Sequence, residues 1–246
     1  MLEEARRHVS AFLARFRKAN LMQIALDRGI RIAPIETIAD LLASEQFAAR
    51  GFLATVAGPE GNYSLPWGFG GACPDGFARP TAAPRLDADR AQILGEWSAT
   101  SQPEEIAAEP SLQPLAGLKV LDLAWVVAGP LIGRNLADYG ATVIRLESAK
   151  RVETARLMGP FPAGDYDVQR SALYETCNAG KLGLSLDLSK PEARDIVRSL
   201  ARWADVLVES FTPGQMARWG LSYDELARDN PGLVMVSTSL TGQSGP

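Results

Sequence analysis

Apolar and polar positions from residue 115 onward follow two rhythms that take turns. Leu115 to Glu147 reads LAGLKVLDLAWVVAGPLIGRNLADYGATVIRLE. It opens on the apolar run Val120 to Val127, turns at Gly129-Pro130, and continues through a helical pattern into a second strand ending at Glu147. Pro130 suits the first turn of a helix, where no backbone N–H is needed, and Gly129 lets the backbone come close to a ligand. A helix beginning there aims unpaired N–H groups at an anion. Three more short apolar or β-branched runs follow: Gly183–Leu188 (GLSLDL), Asp205–Glu209 (DVLVE) and Leu233–Thr238 (LVMVST). Pro191 to Trp203 carries a proline near its start and Ile196, Val197 and Leu200 at helical spacing, which predicts a covering helix. Strands alternating with helices predict a parallel sheet with helices on both faces, an α/β fold of Rossmann-like type.

Residues 1–97 predict a smaller α+β segment. An amphipathic helix stands at the front and carries His8 beside Arg6 and Arg7. A Pro/Gly-rich stretch from Gly58 to Pro84 contains Trp67, Phe69 and Phe77, aromatics expected to pin an irregular segment onto a core. Ser98 to Pro114 (SATSQPEEIAAEPSLQP) has poor apolar periodicity and gathers proline, serine and glutamate, which marks a linker. The expected division is therefore 1–97, 98–114 and 115–246.

Composition narrows the chemistry. A chain of 246 residues with 46% hydrophobic content can bury a normal core as one large or two modest domains. No apolar run is long enough to cross a bilayer and Met1 is followed by LEEARRH rather than a signal peptide, so a cytoplasmic protein is expected. Cys73 and Cys177 lack metal-ligand spacing, which suits a reducing compartment. The net charge of -4 gives no reason to expect nucleic acid, and any basic residues serving an anionic ligand have to be local. His8 is the one histidine, which excludes HExxH zinc chemistry and a His-rich metal site; a Ser-His-Asp triad needs unrelated partners. Glu147 ends a strand where an acid could meet a ribose hydroxyl, yet the turn carries AGPLIG rather than GxGxxG, and a dinucleotide reading lacks its glycines.

LAGLKVLDLAWVVAGP, ADYGATVIRLE, NAGKLGLSLDL, ADVLVESFTPGQMARWGL and NPGLVMVSTSLTGQSGP stand in this order between Pro114 and Pro246. Together they resemble the N-terminal half of the class III (CaiB/BaiF) CoA-transferase family, which includes α-methylacyl-CoA racemases. Gly29 to Val56 and Ala83-Pro84-Arg85-Leu86 resemble the C-terminal part of the same family, which here comes first. The resemblance implies the tail of one copy, a linker and the head of a second, either as a junction within a longer tandem protein or as a natural short or rearranged form.

The resemblance implies transfer of CoA from an acyl-CoA to a carboxylic acid through an aspartate nucleophile, with anhydride and enzyme-CoA thioester intermediates from which water is excluded. CoA or acyl-CoA is then a substrate, with no permanently bound cofactor and no metal. The family's nucleophilic aspartate and glycine-rich loop are expected beyond Pro246, so no catalytic residue is assigned and the isolated chain is expected to be inactive. Asp122, Asp138 and Asp187 are expected to be structural, and Asp165 and Asp167 to be solvated loop acids. By resemblance Val126, Val127 and Ala128 lie against CoA; some members place glutamine at Val127, and loss of one such donor can cost about 10²-fold or more in rate. Leu186 matches an adenine-side position, and Lys190 stands beside Ser189, where some members carry a phosphate-binding lysine. Ser148 occupies the place of an arginine in some members, with Lys150 and Arg151 close behind. Ser210 and Phe211 match the Asn-Phe pair of ENFxPG, an aromatic able to stack on adenine beside a shorter polar side chain. Arg218 matches an arginine near the CoA phosphates, a planar charged fork suited to that partner. Asn178 and Lys181 fit an NxxK segment. Family dimers interlock, so a homo-oligomer or tandem-domain pairing is expected. The alternatives that stay open are a non-catalytic CoA-binding or assembly module and a racemase-type isomerase, in which aspartate and histidine exchange an α-proton.

Overall fold

The computed structural model describes residues 2–58, 61–66, 81, 83–84, 86–99 and 113–245. Trp67, Phe69, Cys73, Phe77, Arg85 and residues 100–112 of the expected linker lie outside these. The first segment contains helices α1 (Leu2–Leu13), α2 (Lys18–Asp27), α3 (Ile38–Leu42) and α4 (Glu45–Ala49), then strands β1 (Leu53–Gly58) and β2 (Gly61–Pro66), then α5 (Arg90–Ala99). β1 and β2 pair antiparallel, Leu53 opposite Pro66. This is the small α+β unit expected, with His8 exposed on α1. α5 runs on through Ser98 and Ala99, the first residues of the expected linker. Thr37 and Ser44 cap α3 and α4 by accepting the N–H groups of Asp40 and Phe47.

The second segment runs β3 (Lys119–Asp122), α6 (Ala128–Asp138), β4 (Thr142–Glu147), α7 (Ala172–Asn178), β5 (Leu182–Ser185), α8 (Pro191–Trp203), β6 (Val206–Glu209), α9 (Gln215–Arg218), α10 (Tyr223–Asp229) and β7 (Val234–Ser237). All five strands pair in parallel in the order β5-β4-β3-β6-β7. The chain builds outward from β3 on one side, then returns across α8 to start β6 on the other. β3 and β6 thus flank a topological switch point, where open α/β sheets leave a crevice at the carboxyl ends of their strands.

Alternation along the central strands sorts the core onto two faces. Val120, Val143 and Val208 pack with Ile132, Leu136 and Ala137 of α6. Leu121 and Leu207 point the other way and pack with Ala193, Val197 and Ala201 of α8 and Leu226 of α10. Burying a side chain such as Val197, fully enclosed, contributes roughly 1.5–3 kcal/mol. α8 occupies the predicted span: Pro191 starts it, Glu192 lies in its first turn and Arg202 in its last, each placed to suit the helix dipole. The apolar run Val120 to Val127 is not all strand. Pairing stops at Asp122, because the side chain of that residue accepts the Ala124 N–H at 2.9 Å and bends the chain out of the ladder.

The two segments meet at the tail. Gln46 on α4 donates to the carbonyls of Thr241 at 2.7 Å and Ser244 at 2.8 Å. Among the described residues no helix is long and apolar enough to cross a membrane.

Candidate functional site

Every strand of the parallel sheet points its carboxyl end at the same edge, and β3 reaches it through the turn of residues 123–127. That turn is pinned by side chains from elsewhere in the chain. The Trp125 N–H donates to Ser210 Oγ at 2.7 Å, and the Val126 N–H to Glu153 Oε1 at 2.8 Å. Arg145 of β4 donates through Nη1 to the Ala124 carbonyl, and Lys181 Nζ donates to the Pro130 carbonyl at 2.7 Å. Lys181 also pairs with Asp122 Oδ2 at 2.7 Å, while Arg145 faces Asp122 Oδ1 at 3.4 Å. Asp122, Arg145 and Glu153 are all 1% exposed or less. Two cations and two acids thus balance inside the protein, each spending hydrogen bonds on the turn. Burial pushes the Lys181 ammonium below the usual lysine range, against the pull of Asp122.

Two glycines let α6 settle onto this cluster. A Cβ on Gly129 would stand 2.3 Å from the Ala124 Cβ, and one on Gly133 would stand 2.8 Å from Asp122 Oδ2. Gly129, expected to let the backbone approach a ligand, is buried, and the space a Cβ would need is taken by Ala124 and Thr238. Val126 adopts φ +69°, a region a β-branched residue rarely enters, and the hydrogen bond to Glu153 holds it there.

Above the turn lies a cleft of about 610 Å³, its open mouth included, in the size range of small-molecule sites. Trp125 comes from the turn after β3, Leu146 and Glu147 from the end of β4 with Ser148 just past it, Leu186 to Ser189 from the segment after β5, and Phe211 from the segment after β6. Trp219 and Arg151 complete the lining. Phe211 and Trp219 meet edge to face at 5.0 Å. The wall is therefore aromatic and aliphatic, with polar groups at the strand ends.

The polar groups are largely committed. Glu147 accepts from Arg156 at 2.6 and 2.9 Å and from the Tyr174 hydroxyl. Burial raises the Glu147 pKa, but the Arg156 and Tyr174 hydrogen bonds outweigh it and hold the carboxyl below its usual range. Burial, with Glu147 beside it, pushes the Tyr174 hydroxyl up to about 12. A carboxylate so engaged does not wait for a ribose hydroxyl, which removes the one feature that favoured a dinucleotide. Asp187 accepts the Ser189 N–H at 3.0 Å and lies 3.6 Å from Lys150 Nζ; hydrogen bonding to Ser189 lowers its pKa. Burial raises the Cys177 thiol, which is free. Among the described residues no group of three or more His, Cys, Asp or Glu side chains converges as a metal site requires.

Of the residues singled out in the sequence, Leu186 and Phe211 line the cleft, and Ser210 lies beneath it bonded to Trp125. Val126 lies in the turn, Val127 caps α6 and Ala128 begins it, and none of the three is among the lining side chains. Lys190 is exposed at the start of α8, and Arg218 is exposed on α9, donating to Gln215 Oε1 at 2.8 Å; neither lines the cleft. Asn178 and Lys181 come together, Nζ to Oδ1 at 2.9 Å, inside the ion-pair cluster rather than at the surface. Asp122 belongs to that cluster, Asp138 pairs with Arg134 at 3.0 Å, and Asp167 accepts the Gln169 N–H at 2.9 Å. Trp125 and Trp219 are lining residues that the sequence reading did not single out, and Arg151, noted there only as a basic residue close behind Ser148, also lines the cleft. Trp125 had a signal: it directly precedes the strand-end segment already singled out.

Comparison with known proteins gives this geometry a family. The profile of CoA-transferase family III matches residues 115–246, the whole parallel-sheet segment. The succinate–glutarate CoA-transferase of Agrobacterium fabrum is 40% identical over 135 residues, covering 54% of this chain and 34% of that protein. The acetyl-CoA:oxalate CoA-transferase of Acetobacter aceti is 40% identical over 133 residues, covering 54% and 33%. A crystal structure of a CAIB/BAIF family protein from Brucella suis superposes with a TM-score of 0.50 at 37% identity, covering 55% of this chain and 36% of that one. The chain spans about a third of the length of the curated relatives it matches. A five-stranded parallel sheet with its cleft at the switch point, and a profile match over the whole of that segment, place this chain in CoA-transferase family III.

Proposed function

We propose that residues 115–246 form the CoA-binding part of an enzyme that transfers CoA between an acyl-CoA and a carboxylic acid, and that residues 1–97 are the C-terminal part of a preceding copy. The observation that carries this reading is the cleft at the carboxyl ends of β3, β4, β5 and β6. Its aromatic and aliphatic wall offers a planar base a place to stack. Phe211, Leu186 and Ser210 are the binding residues that this reading shares with the sequence. Val126, Val127 and Ala128 lead into α6 nearby, where the reacting end of a long thioester could reach them; Lys190 and Arg218 would act only on ligand parts that extend past the cleft.

Chemistry needs a nucleophilic carboxylate, and no acid lining the cleft is free to serve. Glu147 is held by Arg156 and Tyr174, and Asp187 by Ser189 and Lys150. We therefore expect CoA binding without turnover by the chain alone, the aspartate coming from elsewhere in the full enzyme. A non-catalytic CoA-binding module is the second reading. Val127 favours it, since an aliphatic side chain at that position offers no hydrogen bond to a reacting carboxyl. A racemase-type exchange would need a histidine, and His8 is exposed on α1.

Isothermal titration of the purified chain with CoA, followed by an assay with several acyl-CoA donors and carboxylate acceptors, tests the proposal. Saturable binding without transfer is the expected result. Absence of binding by a demonstrably folded chain would sink the CoA reading, and measurable transfer would overturn the assignment of the nucleophile to another part of the enzyme.

A further inference from the structure

Among the residues that line the cleft, Arg151 is the one basic side chain. Its guanidinium carbon lies 5.1 Å from the centroid of the Trp125 ring. No described acid forms an ion pair with it, whereas Arg156 pairs with Glu147, Lys150 with Asp187, and Arg145 and Lys181 with Asp122. Both acids of the cleft are thereby matched, and the charge left over at its rim is positive. A guanidinium resting on an indole face is oriented by cation–π attraction, while its N–H edge stays available to an anion. That edge is a planar fork, well matched to phosphate oxygens.

We infer that Arg151, seated on Trp125, is the phosphate-recognising and specificity-determining residue of this cleft. The ligand it selects is a phosphorylated nucleotide whose base meets the wall formed by Trp125, Leu186, Phe211 and Trp219. This deepens the CoA reading and rests on it. Lys190 and Arg218, both outside the lining, become secondary contacts.

The test is calorimetry on the full chain and on Arg151→Gln, with CoA at low and high salt and with adenosine, which has the ring without phosphates. Arg151 is exposed, and an unchanged thermal midpoint checks that the variant is folded. Arg151→Gln should weaken CoA binding by about tenfold or more. It should also flatten the salt dependence and leave adenosine unaffected. If wild type binds CoA and the variant binds it as tightly, the Arg151 assignment falls and the CoA reading stands. If folded wild type does not bind CoA, both fall together.

Discussion

At the end of β6, Glu209 is 3% exposed, and its carboxylate accepts the Phe211 N–H at 2.7 Å and a hydrogen bond from Ser237. It thereby holds the start of the loop that carries Phe211 into the cleft. Burial raises its pKa, and the hydrogen bonds only partly offset that. The sign of the pH effect follows. Between the ordinary carboxylate value and the raised one, the folded protein binds more protons than the unfolded chain, so stability falls as pH rises through that window. Glu209→Gln is neutral throughout, and its amide oxygen can still accept from Phe211. Its melting temperature should exceed that of wild type at pH 7.5, and the gap should close toward pH 4. A gap that stays constant with pH would mean the carboxylate is not ionised at a cost. Glu147 has the opposite slope, because its pKa is lowered: its contribution is present above the usual glutamate range and fades as pH falls through the lowered value. Comparing variant with wild type at each pH removes that shared background.

The turn between β3 and α6 shows what an element needs beyond its own sequence. Lys181 stands beyond α7, yet it neutralises Asp122 and ties down the Pro130 carbonyl. Lys181→Met keeps the length and apolar bulk but removes the closer of the two cations on Asp122, leaving two buried acids to one cation, at a cost of about 3–5 kcal/mol. Asp122→Asn combined with Lys181→Met should recover much of that loss, because the uncompensated charge is gone. Denaturant unfolding of both variants decides it; equal losses would show that the pair acts only through packing. The same cluster explains how far the sequence could be read. Pro191 to Trp203 announced α8 because its ends carry local chemistry and its buried face has helical spacing. The order of strands and helices on two faces was equally legible. The end of β3 was not, because the apolar pattern runs on through Val127 while the ladder stops where Asp122 bonds to Ala124. Glu147 was similarly opaque: its partners Arg156 and Tyr174 lie 9 and 27 residues further on, and only the fold brings them to one strand end. Phe211 and Leu186, singled out by family resemblance, both line the cleft. Arg151 was noted behind Ser148, but its seat over Trp125 was not legible, because no periodicity encodes the direction of its loop.

At the scale of the whole molecule, the two segments are unequally finished. The parallel sheet has two well-covered faces, whereas buried apolar residues in the first segment are few: Ala25, Ala54 and Val56 among those described. Leu2, Val9 and Leu13 form one stripe of α1 and remain exposed, with Phe12 beside them; Ile35 is 95% exposed. An exposed apolar stripe of this kind is a surface that association would cover. The profile match falls on residues 115–246, and relatives are about three times as long as the stretch they share with this chain. We expect the purified chain of 26.4 kDa to associate, with its mass by light scattering rising with concentration. Val9→Glu with Phe12→Glu should shift it toward the monomer, because each places a charge on the stripe that would have to be desolvated on association. CoA binding should be unchanged in that variant, since the cleft is built wholly from residues 125–219. A mass that stays monomeric at every concentration would count against the assembly, and loss of CoA binding in the double variant would show that the first segment supports the cleft directly.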